Sequence, residues 1–199
     1  MWHQSVGDKI AVNLASLKLP ISDSAALDIL ESMGFLRCDM SVTAIARGLV
    51  GKSQYRRGAN PYLAPEIVDC SSMTKWIFGE IGIWMPRHSI DQRDMGRRVT
   101  KPREGDLVFT SGWRNYYWDD QNDGVGHVGI VTKDSTVIHA ANSKVGVVET
   151  KLKMFCHDPK NLRGITRILA TTDRFLTLRM TKRIAETSQE LRWIILQHI

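Results

Sequence analysis

Between His127 and Thr150 the chain carries three short runs rich in β-branched residues. They are HVGIVT (127–132), TVIHAA (136–141) and VGVVET (145–150), joined by Lys133-Asp134-Ser135 and Asn142-Ser143-Lys144. Connections this short can only fold a strand back on its neighbour, because a parallel neighbour needs a crossover of about a dozen residues or more. The stretch therefore reads as an antiparallel meander. DLVFT (106–110) precedes it and residues 164–169 follow it as further strands, giving an antiparallel sheet of five. Helical spacing dominates before the sheet, over 8–18 (Ile10, Leu14, Leu17), 24–33 (Leu27, Leu30, Met33), 42–51 and 69–82 (Met73, Trp76, Ile77, Ile81). Helices first and an antiparallel sheet second point to an α+β fold. The expected organisation is a helical N-terminal extension over 1–41, a central domain over 42–170 and a helical C-terminal extension over 171–199.

Turn length decides which way the two histidines of the meander point. With Lys133-Asp134-Ser135 as the loop and Thr132 opposite Thr136, His139 faces Gly129 and His127 sits one step diagonal on the same face. A two-residue turn would put the histidines on opposite faces. In the longer register Gly129 and Ala141 share the histidine face and leave room for another element to approach. Val128, Ile130, Ile138 and Ala140 form the opposite, apolar face.

That approaching element is expected to be the helix opened by Asp69-Cys70-Ser71-Ser72-Met73. A cysteine attacks as its thiolate, and both a helix N-terminus and a neighbouring histidine favour that form. Asp69, as N-cap, would bond N–H groups of the next turn and point away from the sulfur. His127 is the candidate base, with His139 behind it to orient the ring. The other histidines, His3, His88, His157 and His198, lie in termini or irregular stretches. On the residues alone a second account stands beside this one: a small buried cysteine at a helix start and two histidines satisfied within a sheet.

Composition narrows the partners. The chain has 199 residues, 43% hydrophobic and 24% charged, enough to bury a sizeable core. No apolar run of about 18 residues is present. The first residues, MWHQSVGDKIAVNLASLKL, lack a basic stretch followed by an unbroken apolar one. The expected location is thus cytoplasmic as synthesised, with export by a dedicated route as the alternative. Cys38, Cys70 and Cys156 form no paired motif, so neither a disulfide framework nor a zinc site is expected, and no cofactor. The net charge of +6 is scattered and no nucleic-acid motif accompanies it, so a solvated basic surface is expected and no nucleic-acid partner. A C-terminal helix over 181–199, with Ile184, Leu191 and Ile195 on one face, is expected to pack on the domain or on a protein partner.

Six motifs in order then resemble the bacterial cell-wall cysteine peptidases of the NlpC type. Gln54-Tyr55-Arg56-Arg57-Gly58-Ala59 is similar to the family's Tyr-x-Trp-Gly-Gly loop, and Asp69-Cys70-Ser71-Ser72-Met73 to its Asp-Cys-Ser-Gly nucleophile motif. Gly82-Ile83-Trp84-Met85-Pro86-Arg87, with Gln92 beyond it, resembles the family's Leu-Pro-Arg run and later Gln. Glu104-Gly105-Asp106-Leu107-Val108-Phe109 resembles the strand lead-in, and Gly126-His127-Val128-Gly129-Ile130 and Ile138-His139-Ala140 the two histidine strands. The resemblance covers roughly residues 42–170 and implies a papain-like core with the nucleophile helix packed on the sheet. It implies Cys70 as nucleophile, His127 as base, His139 as third residue and Tyr55 as an oxyanion donor beside the Cys70 N–H. It also implies that Asp69 and Ser71 hold the free amine of a peptidoglycan stem peptide, cut between D-γ-glutamyl and a diamino acid through a thioester. Arg57, Ala59 and Ser72 depart from the family's Trp, Gly and Gly. The aromatic loop 111–126 reads as a groove lid or as a surface insertion. An acyltransferase or transamidase on the same fold, or a non-catalytic binding module, would share most of these residues.

Overall fold

A computed structural model of the chain describes residues 3–112, 124–157, 159–169 and 175–199. In chain order its elements are β1 (Lys9–Asn13), α1 (Asp23–Ser32), β2 (Phe35–Cys38), α2 (Val42–Leu49), β3 (Gln54–Tyr55), β4 (Ile67–Val68), α3 (Cys70–Glu80) and α4 (Ser89–Asp94). There follow β5 (Arg97–Arg98), β6 (Leu107–Thr110), β7 (His127–Val131), β8 (Thr136–Asn142), β9 (Gly146–Lys151), α5 (Leu152–Cys156), β10 (Leu162–Arg167), β11 (Phe175–Met180) and α6 (Ser188–Leu196). The fold is α+β. Its backbone divides into two compact units, one of Met1–Ser41, Phe78–Trp84 and Ala170–Ile199, the other of Val42–Ile77 and Met85–Leu169.

In the first unit the two ends of the chain form one antiparallel sheet in the order β1-β11-β2. Leu178 on the central strand pairs with Ile10 on one side and Arg37 on the other. Helices α1 and α6 complete an apolar core that includes Ile10, Leu30, Phe35, Leu178 and Leu191. Ser22 caps α1 by accepting from Ala25 N–H at 3.2 Å, two residues earlier than the Ser24 start expected. The extensions are therefore not purely helical. Ile10, Ala11 and Val12 are all buried, so β1 is a continuous apolar run whose spacing also fits a helix. Residues 175–180 pair with partners at the other end of the chain, which periodicity cannot reveal. The C-terminal helix spans only Ser188–Leu196 of the 181–199 expected.

In the second unit, among the described residues, six strands form one antiparallel sheet in the order β5-β10-β6-β7-β8-β9. The strand beyond the five expected is β5, two residues long and paired only with β10. The register across β7 and β8 is the one set by the three-residue turn: Ile130 pairs with Ile138 and Val131 with Val137. Thr132 N–H donates to the Thr136 carbonyl at 2.9 Å and closes the loop. Beneath the sheet lead-in, Arg167 makes a two-pronged buried contact with Asp106, at 2.8 and 2.7 Å. Of the aromatic loop, Trp113, Tyr116, Tyr117 and Trp118 lie outside the described residues.

The outer edge of β9 is covered by the segment that leads into β3. Gly51 N–H donates to the Val147 carbonyl at 3.0 Å, and Val147 N–H to the Ser53 carbonyl at 3.2 Å. This covering depends on Gly146. Its φ is +67°, and a Cβ there would stand 2.3 Å from the Ser53 carbonyl oxygen. Gly146→Ala is accordingly expected to destabilise the fold by about 1–2 kcal/mol from backbone conformation alone, with the collision added. Urea denaturation monitored by circular dichroism measures it.

Candidate active site

The start of α3 is locked by its own sequence. Asp69 Oδ1 accepts from Ser72 N–H at 2.8 Å, and Ser72 Oγ accepts from Asp69 N–H at 2.8 Å. This reciprocal cap satisfies two backbone donors at once. It fixes Cys70 as the first helical residue, half-buried, with its thiol facing a groove of about 1220 Å³. Tyr55, Asp69, Ser71, His127 and His139 line the same groove, so every residue singled out from the sequence is brought together there.

The histidines meet as the register requires. His127 Nε2 lies 2.9 Å from His139 Nδ1, and His139 Nε2 lies 3.0 Å from Thr150 Oγ1. Gly129 makes this closeness possible, since a Cβ there would sit 2.3 Å from a Val137 methyl and 3.1 Å from the His139 Cβ. Phe155 of α5 closes the pair from one side. Its ring stacks on His127 at 5.4 Å between centroids and meets His139 edge-on at 4.8 Å. Neither Thr150 nor Phe155 was found by sequence reasoning. Thr150 lay in a recognised strand, but the three-residue loop expected after β8 would pair it with Thr136 on the apolar face; a bulge between Ala140 and Asn142 pairs it with Val137 instead, on the His139 face.

Burial favours the neutral forms of the thiol and of both imidazoles. Burial, then the Asp69 carboxylate, push the Cys70 thiol up to about 11, against the pull of backbone hydrogen bonds from Val128 and Ser71 and of the Arg87 guanidinium. Burial, then His139, bring His127 down to about 3, and burial brings His139 to about 4. These shifts favour a thiol beside a neutral imidazole over the thiolate expected from the helix start. The bond from Val128 places the sulfur against the start of β7, one residue along the chain from His127. Tyr55 is raised by burial, then by Cys70 and Asp69, so its phenol keeps its proton and remains a donor next to the sulfur. It stands there because β3 runs parallel to β4, pairing Tyr55 with Val68 two residues before the thiol.

Asp69 does face the site, and its charge is met by Arg87. The guanidinium reaches Asp69 Oδ2 at 2.5 Å, Ser71 Oγ at 2.8 Å and the Ala59 carbonyl at 2.7 Å. Gln92, fully buried, sets this clamp. It donates to the Ser71 and Pro86 carbonyls at 2.8 and 2.9 Å and accepts from Thr74 Oγ1 at 2.7 Å. Among the described residues no group of three His, Cys, Asp or Glu side chains is arranged to hold a metal ion.

Residues 51–160, which contain all of these groups, match the model of the NlpC/P60 family. The chain belongs to that family. It is 30% identical over 149 residues to a probable endopeptidase of Corynebacterium glutamicum, covering 73% of this chain and 64% of that protein. It is 33% identical over 106 residues to the probable endopeptidase p60 of Listeria monocytogenes, covering 52% and 19%. With the bifunctional muramidase/DL-endopeptidase CwlT of Bacillus subtilis it shares 26% over 153 residues, 76% and 43% of the two chains. The chain spans less than two thirds of the length of each of these relatives. In structure it resembles the peptidoglycan hydrolase RipB of Mycobacterium tuberculosis, with a TM-score of 0.51 at 22% identity over 75% of this chain and 69% of that one. That likeness shows the fold. Within this NlpC/P60 chain the three departures from the motif have distinct settings. Ser72 closes the helix cap, Ala59 offers its carbonyl to Arg87, and Arg57 lines the groove.

Two measurements test the neutral resting site. Alkylation of Cys70 by iodoacetamide, followed by peptide mass spectrometry, is expected to quicken about tenfold per pH unit from neutrality towards pH 10 with no plateau. A plateau below about pH 8 would show a preformed thiolate instead. The histidines also make the fold acid-sensitive. Both are held below the ordinary value of 6.5, so the unfolded chain binds more protons as pH falls through that value. Their stabilisation is complete above 6.5 and is lost as pH falls towards about 4 and 3. Thermal denaturation across that range should show this slope, and the double variant His127→Gln/His139→Gln should flatten it.

Proposed function

We propose that the chain is a cysteine peptidase that hydrolyses an amide bond in peptidoglycan stem peptides through a thioester. The observation that supports this most is the shared groove, in which the Cys70 thiol, the His127–His139 pair and the Tyr55 phenol converge. The relatives' names, endopeptidase and DL-endopeptidase, agree in reaction class. Within that class we assign the bond between D-γ-glutamate and the following diamino acid.

The chemistry follows from the neutral resting state. As the sulfur attacks the carbonyl carbon, its proton passes to His127 Nδ1, the nitrogen that His139 does not occupy. The developing oxyanion accepts from the Tyr55 hydroxyl and the Cys70 N–H. His127 then returns the proton to the departing amine, leaving the acyl group on sulfur. Water attacks the thioester with His127 again as base, and the acid product leaves as the thiol re-forms. The thiol and the imidazole thus carry charge only while the reaction is under way. Asp69 and Ser71, held by Arg87, present oxygen acceptors to the free amine of a stem peptide.

Incubation with purified muropeptides and mass analysis of the products tests the proposal. Peptide release is expected to fall by at least about a thousandfold in Cys70→Ala. Tyr55→Phe, which removes one oxyanion donor, should lower kcat by about a hundredfold. Acyl transfer to an added amine in place of hydrolysis would point to a transamidase. Absence of any Cys70-dependent product from a full set of peptide-bearing muropeptides would overturn the assignment.

A further inference from the structure

His127 can take up a proton from the thiol in only one of its two neutral tautomers. The contacts at 2.9 Å, from His127 Nε2 to His139 Nδ1, and 3.0 Å, from His139 Nε2 to Thr150 Oγ1, can run in either direction. In the first, His127 Nε2–H donates to His139 Nδ1, and His139 Nε2–H donates to Thr150 Oγ1. His127 Nδ1 is then a bare lone pair. In the second, the Thr150 hydroxyl donates to His139 Nε2, and His139 Nδ1–H donates to His127 Nε2. His127 then carries its hydrogen on Nδ1, facing a thiol that also carries one, and two donors oppose each other.

We propose that Thr150 is a positioning residue that fixes both histidine tautomers by accepting the His139 Nε2–H. This rests on the hydrolytic role proposed for Cys70 and His127. Thr150 is suited to accept because it is half-buried at the groove wall, where its own hydroxyl hydrogen can go to water. Its place is set from both sides. Opposite it on β8 is Val137, on the same face as His139. Next to it, Glu149 accepts from Arg47 Nη2 of α2 at 3.2 Å, which holds this end of β9 in register. Phe155 packs on both imidazoles, and the threonine oxygen is the hydrogen-bond partner of His139 Nε2. Each donor then meets an acceptor from His127 to Thr150, and His127 Nδ1 is left bare to receive the thiol proton.

The test is Thr150→Val, which keeps the side-chain shape and the strand preference and removes the acceptor. Nitrogen-15 spectra of histidine-labelled protein near pH 7 distinguish the two neutral tautomers. In the wild type both His127 and His139 are expected as the Nε2–H form. In Thr150→Val that population is expected to fall, with kcat for muropeptide cleavage reduced about tenfold to a hundredfold and KM little changed. Thr150→Ser should restore both readouts. Wild-type tautomers in Thr150→Val, with or without a loss of kcat, would overturn the proposal. The spectra need no substrate. A protein that cleaves no muropeptide would refute the hydrolytic assignment and leave the tautomer result legible on its own.

Discussion

The site depends on a turn of odd length. Lys133-Asp134-Ser135 closes through Thr132 and Thr136, with Ser135 at a φ of +55°. One residue fewer would turn the side chains of β8 to the opposite face and send His139 into the apolar core. The turn alone is not sufficient, because two imidazoles on neighbouring strands also need space between the strands. Gly129 supplies it by having no side chain opposite His139. The same strand gives the backbone hydrogen bond of Val128 to the Cys70 sulfur. Register, spacing and thiol placement are therefore three consequences of one hairpin.

Charge is handled by pairing outside the reaction centre and neutrality within it. A carboxylate one residue from a nucleophilic thiol opposes its ionisation, and Asp69 does so. Its gain is structural, since it caps α3 and anchors Arg87, and the guanidinium returns part of the lost stabilisation of the thiolate. A permanent thiolate–imidazolium pair would hold two charges in a partly desolvated site, where burial opposes ionisation. A thiol and an imidazole that exchange a proton during attack avoid that standing penalty. In the proposed mechanism, activation of the thiol then depends on the tautomer of His127 as well as on the pKa of Cys70.

What could be read from the sequence follows the range of the interactions. The hairpin was legible because its partners are adjacent, and its turn fixed the parity of both histidines. The cap at Asp69 was legible for the same reason. Arg87 and Gln92 were visible only as family-like letters, since what they do depends on a loop folding back on the start of α3. β1 and β11 were lost because they pair across almost the whole chain, and the buried run Ile10-Ala11-Val12 carries no strand alternation. The sequence points to a thiolate because helix-end and histidine effects are local, whereas burial, which opposes it, is a property of the assembled groove.

The departures from the family motif can be sorted by the atom that does the work. Ala59 acts through its carbonyl, which a glycine would present equally, so this change leaves the Arg87 clamp in place. Ser72 adds an atom with a purpose, because its hydroxyl closes the cap that a glycine would leave half made. Arg57 is different in kind. An aromatic wall would favour apolar surface, whereas a guanidinium on the groove wall favours anionic or planar polar groups. The two scaffold changes therefore preserve the machinery around Cys70. Arg57 alone of the three changes the chemistry of the groove wall.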